Sequence, residues 1–280
     1  MDNLIAVTGA TGAIGGAVAR ILAADGIALR LPVRDLSRAP ALPGATAAEC
    51  SYADRSAAET ALEGIHTLFM VSAGESKDRV EQHLTFVDAA REAGVQHIVY
   101  TSFFGAAADA TFTLGRDHWA TEEYIRRSGI AYTFLRNNLY LDVLQHFADD
   151  DGTIRGPAGN GRLAAVSRED VVQVSTAILR DAAVHAGNTY ELTGPTALTL
   201  AEAAAIISKE TGREVTYRNE TVDEAYASRQ HFGAPDWQLD AWVSTYTAIA
   251  EGGLARTTTT VQDLTGRPAQ DLAQVLRDDR

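Results

Sequence analysis

Only one cysteine, Cys50, occurs in 280 residues. That excludes a disulfide framework and a thiolate zinc site, so packing must hold the chain together and a reducing compartment suits it. The expected location is the cytoplasm. Long apolar runs are also missing: the stretch from Ile65 to Ala73 is interrupted well short of the roughly 20 residues a membrane-spanning helix requires. The N-terminus opens directly on a strand pattern rather than a secretory leader. Clustered basic residues are absent as well. Lys and Arg number 24 against 37 Asp and Glu, a formal charge of −13 with a pI near 4.9, and an acidic surface repels phosphate backbones. Neither a nucleic-acid nor a membrane partner is expected. His83 and His97 are too scattered for a metal site, and neither HExxH nor a GxSxG elbow occurs, so no zinc-hydrolase or serine-hydrolase pattern is present.

What the sequence does contain is an ordinary globular balance, 46% hydrophobic and 22% charged, in a length suited to one large domain or a domain plus a lobe. Leu4 to Thr8, Ile27 to Val33, His66 to Val71, His97 to Thr101 and Ala131 to Arg136 read as strands. Helical spacing runs through Ala13 to Ala24, Ala57 to Leu62, Asp78 to Ala93 and Asp117 to Ser128. Strands separated by helices of this length predict a parallel sheet with right-handed crossovers, an α/β doubly wound Rossmann domain. Residues 1–150 form that domain in this reading. A smaller C-terminal substrate lobe takes 151–163 and 194–280, while about 164–193 returns to the first domain. Turn residues at Asp149 to Gly152 and Gly156 to Gly161 predict a short flanked hairpin. Asp170 to Leu179 reads as a helix and Asn188 to Leu192 as a strand. Thr199 opens a helix to Thr211, with Glu202 completing a capping box, and the tail holds shorter helices.

Thr8-Gly9-Ala10-Thr11-Gly12-Ala13-Ile14-Gly15 lies between the first strand and the first helix, the context in which glycine spacing signals a dinucleotide phosphate. Gly9 permits the tight turn, Gly12 admits a pyrophosphate against backbone, and Gly15 allows close helix packing. The helix N-terminus then offers unpaired N–H groups to the anion. Past the second strand, Arg34 and Arg38 suit a ribose 2′-phosphate, whereas Asp35 suits a free 2′-hydroxyl or caps its own turn. NADP(H) is favoured over NAD(H).

The ordered set TGATGAIGG, Val33-Arg34, Tyr100-Thr101-Ser102, Leu135-Arg136-Asn137, Tyr190 to Gly194 and Thr265-Gly266-Arg267-Pro268 resembles the NmrA-like group of atypical short-chain dehydrogenases. Within it, the chain looks most like bacterial NAD(P)H:quinone oxidoreductases and triphenylmethane-dye reductases, nearly end to end. The resemblance implies an NADPH-binding Rossmann domain, a small C-terminal lobe and a substrate cleft between them. It also implies a place near the adenine for Tyr52, where the plain alternative is an exposed loop aromatic.

Short-chain dehydrogenases generally pair a Tyr with a Lys four residues on; here His118 and Glu122 stand at about those places. Ordinary alcohol dehydrogenation is therefore not expected. Hydride transfer to a strong electrophile needs position and a dry slot rather than a protein nucleophile, which points to a small aromatic or quinone-like substrate. His118 is the candidate proton donor, since its ordinary pKa lies near working pH; the alternative is a helix-start residue bonded to Glu122 or solvent. Ser72-Ala73-Gly74 and Thr101-Ser102 follow strands at the carboxyl edge of the sheet. The first is expected along the ribose and nicotinamide with Thr101, and Ser102 is expected to face the substrate with Tyr140. Asn137 is expected at the carboxamide, and Phe103, Phe104, Phe112 and Trp119 supply aromatic surface for the acceptor or for the core. A homodimer is compatible with this reading. The competing class is a non-catalytic NAD(P) sensor, because regulators occur in the same group and the missing Tyr/Lys pair suits them too.

Overall fold

Ile5, Ala6 and Val7 are all buried and form β1 (Ile5–Val7). In the computed structural model, which describes residues 4–278, this strand runs into α1 (Ala13–Ala24), whose Ile14, Val18, Ala19 and Leu22 form one buried stripe. The alternation continues through β2 (Leu29–Val33), β3 (Ala45–Glu49), α2 (Arg55–Leu62), β4 (Thr67–Met70), α3 (Arg79–Glu92), β5 (His97–Phe103), α4 (Thr113–Ser128) and β6 (Ala131–Asn137). After α5 (Leu141–Leu144), β7 (Thr153–Gly156), β8 (Arg162–Leu163) and α6 (Arg168–Arg180), β9 (Thr189–Leu192) completes a seven-stranded sheet in the order β3-β2-β1-β4-β5-β6-β9. The pairings β3 with β2, β2 with β1, β1 with β4 and β4 with β5 are parallel. Every residue of β4 and β5 is buried, as strands covered by helices on both faces require. Strand order reverses between β1 and β4, where Val7 lies opposite Phe69. The expected doubly wound Rossmann fold is therefore the observed one.

The remainder comprises β10 (Leu198–Thr199), α7 (Leu200–Thr211), β11 (Thr216–Asn219), α8 (Val222–Arg229), α9 (Asp236–Ala250), α10 (Thr260–Thr265) and α11 (Leu272–Asp278). The chain separates into two compact units. One contains Met1–Ser102, Asp117–Arg136 and Val171–Tyr190; the other contains Phe103–Arg116, Asn137–Asp170 and Glu191–Arg280. Leu62, Leu68, Phe86, Ile98 and Phe134 centre the core of the first. Leu200, Ile207, Ile249 and Leu276 belong to the core of the second. Each such side chain contributes about 1.5–3 kcal/mol by leaving water.

Thr199 and Glu202 form the expected capping box at the start of α7. The hairpin expected around Asp149 to Gly161 is reduced to a single antiparallel bridge, Ala148 opposite Ile154. β7 pairs in parallel with β11, Thr153 facing Thr216, and β8 pairs antiparallel with β10. The glycine turns exist, with Gly152 and Gly159 at positive φ, but they feed strands whose partners lie far along the chain. The tail also contains one long helix, α9, with 15 residues. Among the described residues, no helix is long and apolar enough to cross a membrane.

Candidate active site

The loop between β1 and α1 shows what each glycine is for. Gly9 has φ +64, and a Cβ there would also press on Val71 at 3.2 Å. A Cβ on Gly15 would lie 2.3 Å from the carbonyl oxygen of Thr8, so these two glycines are demanded by the fold itself. Gly12 is not. It sits at the N-cap of α1 in extended conformation, and a Cβ there would meet only Gly9 O, at 3.4 Å, an ordinary contact. No side chain caps this helix and no acid occupies its first turn, so its N–H groups and partial positive charge remain available to an anion. Gly9, Thr11, Gly12 and Ala13 are exposed, while the Ala10 and Ile14 side chains are buried and leave only backbone to a ligand.

At the end of β2 the carboxylate of Asp35 accepts from the Ser37 amide at 2.9 Å and from the Ser37 hydroxyl at 2.6 Å. These bonds hold its pKa down and occupy it as a cap on residues 36–38. Arg34 and Arg38, both exposed, flank that turn. Tyr52 is half-buried rather than exposed: its ring stacks on Phe86 at 4.1 Å, and its hydroxyl lies 2.6 Å from Thr8 Oγ1 and 2.7 Å from Val71 O. Burial pushes this phenol's pKa up, so it serves as a neutral strut beneath the glycine loop.

The segment Val71–Gly74, beyond β4, has no strand partner and is held by side chains. Val71 N donates to Thr8 Oγ1 at 2.9 Å and Ser72 N to Thr101 Oγ1 at 2.8 Å. Ala73 N donates to His83 Nε2, and Arg79 Nε donates to Ala73 O, both at 2.9 Å. Arg79 is buried; its other nitrogens reach Asp117 at 3.4 Å and His118 Nε2 at 2.9 Å. Because an N–H donor points at Nε2 of both His83 and His118, each ring carries its proton on Nδ1. From there His83 donates to Thr121 Oγ1 and His118 to Tyr100 Oη, both at 2.9 Å.

This geometry corrects two expectations. His118 does not titrate near working pH: burial first, then the Arg79 charge, depress its pKa well below the ordinary value, and its ring nitrogens face Arg79 and Tyr100. A neutral ring accepting from a guanidinium is in the wrong state for a general acid. Ser102 does not face outward either. It is buried, and its hydroxyl donates to Glu122 at 2.5 Å.

In the second unit, Phe103 and Phe104 are buried in the core, with half-buried Phe112 tilted against Phe103 at 4.7 Å. Asn137 is buried; its Nδ2 donates to Tyr140 Oη at 3.3 Å, while its Oδ1 makes no hydrogen bond within the protein. Tyr140 is half-buried under the Arg168 guanidinium, 5.5 Å from the ring centre. Trp119, in the first unit, is half-buried with Arg126 5.8 Å from its ring. Arg79 escaped the sequence reading, and His83 entered it only as a rejected metal ligand, although a signal existed for both. They continue the buried stripe of α3 that Phe86, Val87 and Ala90 define, and polar residues on an apolar stripe must have partners.

The chain matches the NmrA-like family over residues 1–231. It is 34% identical to quinone oxidoreductase 2 of Escherichia coli, an alignment covering 97% of this chain and 96% of that protein. The crystal structure of that NADPH-dependent quinone oxidoreductase with NADPH superposes with a TM-score of 0.88 at 33% identity, covering 98% of this chain and 99% of the other. The Citrobacter triphenylmethane reductase complexed with NADP(H) gives 0.85 at 29% identity, covering 99% and 100%.

Proposed function

The chain belongs to the NmrA-like family, and from that premise we propose that it is an NADPH-dependent oxidoreductase that delivers hydride to a quinone or another electrophilic aromatic acceptor. The observation that carries this reading is Gly12. Its missing side chain serves no internal contact, and it heads a helix that nothing caps. Such a cradle fits a pyrophosphate, with the backbone of Gly9, Ala10, Thr11, Gly12, Ala13, Ile14 and Gly15 around it. Arg34 and Arg38 hold the 2′-phosphate, a pairing favoured because two exposed guanidinium groups flank this turn, against the single carboxylate of Asp35, whose Oδ1 also caps Ser37.

When bound, NADPH supplies the hydride; the protein supplies position. Ser72, Ala73, Gly74 and Thr101 line the nicotinamide ribose, on a segment the surrounding side chains hold in place. No proton donor is needed from His118, because the reduced form of a strong electrophile is stable enough for water to complete protonation. Within the second unit, Asn137 keeps an open acceptor, its Oδ1, beside Tyr140. Both named relatives are reductases, which favours turnover over sensing. The deciding measurement mixes the protein with NADPH and a panel of quinones and triphenylmethane dyes while nicotinamide absorbance is followed. Acceptor-dependent oxidation is expected; binding of NADPH without oxidation by any acceptor would move the sensor ahead.

A further inference from the structure

Arg79 and His83 stand four residues apart, and therefore on one face of α3. Together they hold both backbone polar groups of Ala73, the carbonyl by Arg79 Nε and the amide by His83 Nε2. Each is tied in turn to α4: Arg79 to Asp117 and His118, His83 to Thr121. Apolar side chains at these two positions would extend the stripe of Phe86 and Val87 without desolvating a guanidinium and an imidazole. The polar pair instead gives direction to a segment that has no strand partner. That segment adjoins the glycine loop, since Val71 limits the space above Gly9, and it follows β4 at the reversal of strand order, where ligands bind in open α/β sheets.

We propose that Arg79 and His83 are positioning residues that clamp Ala73 and so set the nicotinamide half of bound NADPH for hydride transfer, without touching cofactor or acceptor themselves. The proposal rests on the NADPH-reductase reading. It predicts a split: the adenine half of the cofactor, held by the glycine loop and Arg34, is indifferent to the clamp, whereas the reacting half depends on it.

The test compares wild type with Arg79→Lys, which keeps the charge but loses the fork, with His83→Leu, and with His83→Gln, whose side-chain oxygen can still accept from the Ala73 amide. Affinity is measured for NADPH and for 2′-phospho-ADP-ribose, which lacks nicotinamide, and hydride transfer to a quinone is followed by stopped flow with 4-deuterated and ordinary cofactor. Fragment affinity is expected within about twofold of wild type, while the hydride-transfer rate falls about 10- to 100-fold in Arg79→Lys and His83→Leu. His83→Gln should recover most of the rate. A folded variant with an unchanged rate, or parallel losses for fragment and NADPH, overturns the clamp. If Arg79→Lys lacks a cooperative thermal transition, the two His83 variants decide. If wild type binds NADPH but reduces no acceptor, the reductase reading fails alone. The clamp is then judged by the ratio of NADPH to fragment affinity, which should drop in the variants and overturns the proposal if it does not.

Discussion

Glu122 and Arg136 form a two-pronged ion pair, with Arg136 Nε and Nη2 donating at 2.8 and 2.7 Å to a carboxylate that is wholly buried. Arg126 at 3.1 Å and the Ser102 hydroxyl at 2.5 Å complete its shell. The place where short-chain dehydrogenases carry a lysine is thus occupied here by an acid locked into structural bonds, and α4 is fastened through it to β5 and β6. A carboxylate held this way supplies no ammonium to lower a neighbouring phenol's pKa, which fits the proposed reliance on an electrophilic acceptor.

Removing that carboxylate should mainly damage stability. Glu122→Leu leaves the largely buried Arg136 guanidinium without its counter-charge, while Arg126 keeps Glu123 at 2.7 Å, and is expected to cost about 3 kcal/mol, with Glu122→Gln milder because its amide oxygen still accepts. Urea unfolding followed by circular dichroism measures both. A loss for Glu122→Leu below about 1 kcal/mol, the range of exposed pairs, would show that the cluster is only a surface network.

Cofactor choice follows from the turn after β2. Arg34 and Arg38 are both exposed beside that turn, and two guanidinium groups should outweigh the one Asp35 carboxylate, whose Oδ1 also holds Ser37. NADPH should bind more tightly than NADH, and an Arg–phosphate bond contributes about 1.5–3 kcal/mol. Arg34→Glu should reverse the order. Calorimetric titration of both cofactors gives the answer, and equal affinities in the wild type would refute the assignment.

Two glycines three residues apart, Gly12 at the N-cap of α1 and Gly15 in its first turn, should respond oppositely to the same substitution. Gly12→Val meets no internal obstacle beyond an ordinary contact, so it should keep a cooperative melt and lose NADPH. Gly15→Val puts a Cβ 2.3 Å from Thr8 O and should fail to reach a stable fold. Normal NADPH binding by Gly12→Val would mean that the pyrophosphate lies elsewhere.

Acid stability carries the signature of the buried imidazoles. Burial and the Arg79 charge pull the His83 pKa from 6.5 to about 3. Between those values the unfolded chain binds a proton that the folded one excludes. Stability conferred by the neutral ring is therefore complete above the ordinary histidine value and declines as pH falls, by about 1.4 kcal/mol per pH unit for one group. Urea midpoints taken from neutral pH downward should decline more steeply for wild type than for His83→Gln, and coincident slopes would contradict a buried neutral ring.

How much of this was legible in the residues can be argued element by element. α1 was readable to the residue because a single apolar stripe ends at a glycine, and the capping box of Thr199 and Glu202 is local chemistry. β3 was harder: Ala45 to Glu49 carries four small residues at a sheet edge with none of its residues buried, so neither alternation nor branching marks it. The hairpin, which shrinks to one bridge between Ala148 and Ile154, shows the limit of turn signals, which specify where the chain bends but not that β7 will find β11. For the site, the glycine loop announced itself, whereas the state of His118 did not. A histidine's pKa depends on what buries it, and the guanidinium that does so comes from Arg79, 39 positions away.

That buried state makes the last prediction the sharpest for mechanism. If His118 were a general acid, hydride transfer would show a titration near its ordinary value and its removal would cost the 10² to 10⁴-fold that a positioned acid contributes. The ring is instead neutral, with Nε2 accepting from Arg79 and Nδ1 donating to Tyr100. Its pKa is far below the ordinary one because burial and a neighbouring cation both oppose protonation. Stopped-flow rates of quinone reduction at saturating NADPH should therefore be flat between about pH 6 and 9, and His118→Ala should lower them by less than about tenfold, since Arg79 keeps its bond to Ala73. A poorly electrophilic ketone should react slowly with wild type and variant alike, because no group on His118 is available to neutralise its developing alkoxide. A thousandfold loss with quinone, or a wild-type titration near neutral pH that vanishes in His118→Ala, would establish His118 as the obligatory acid and reverse this reading of the site.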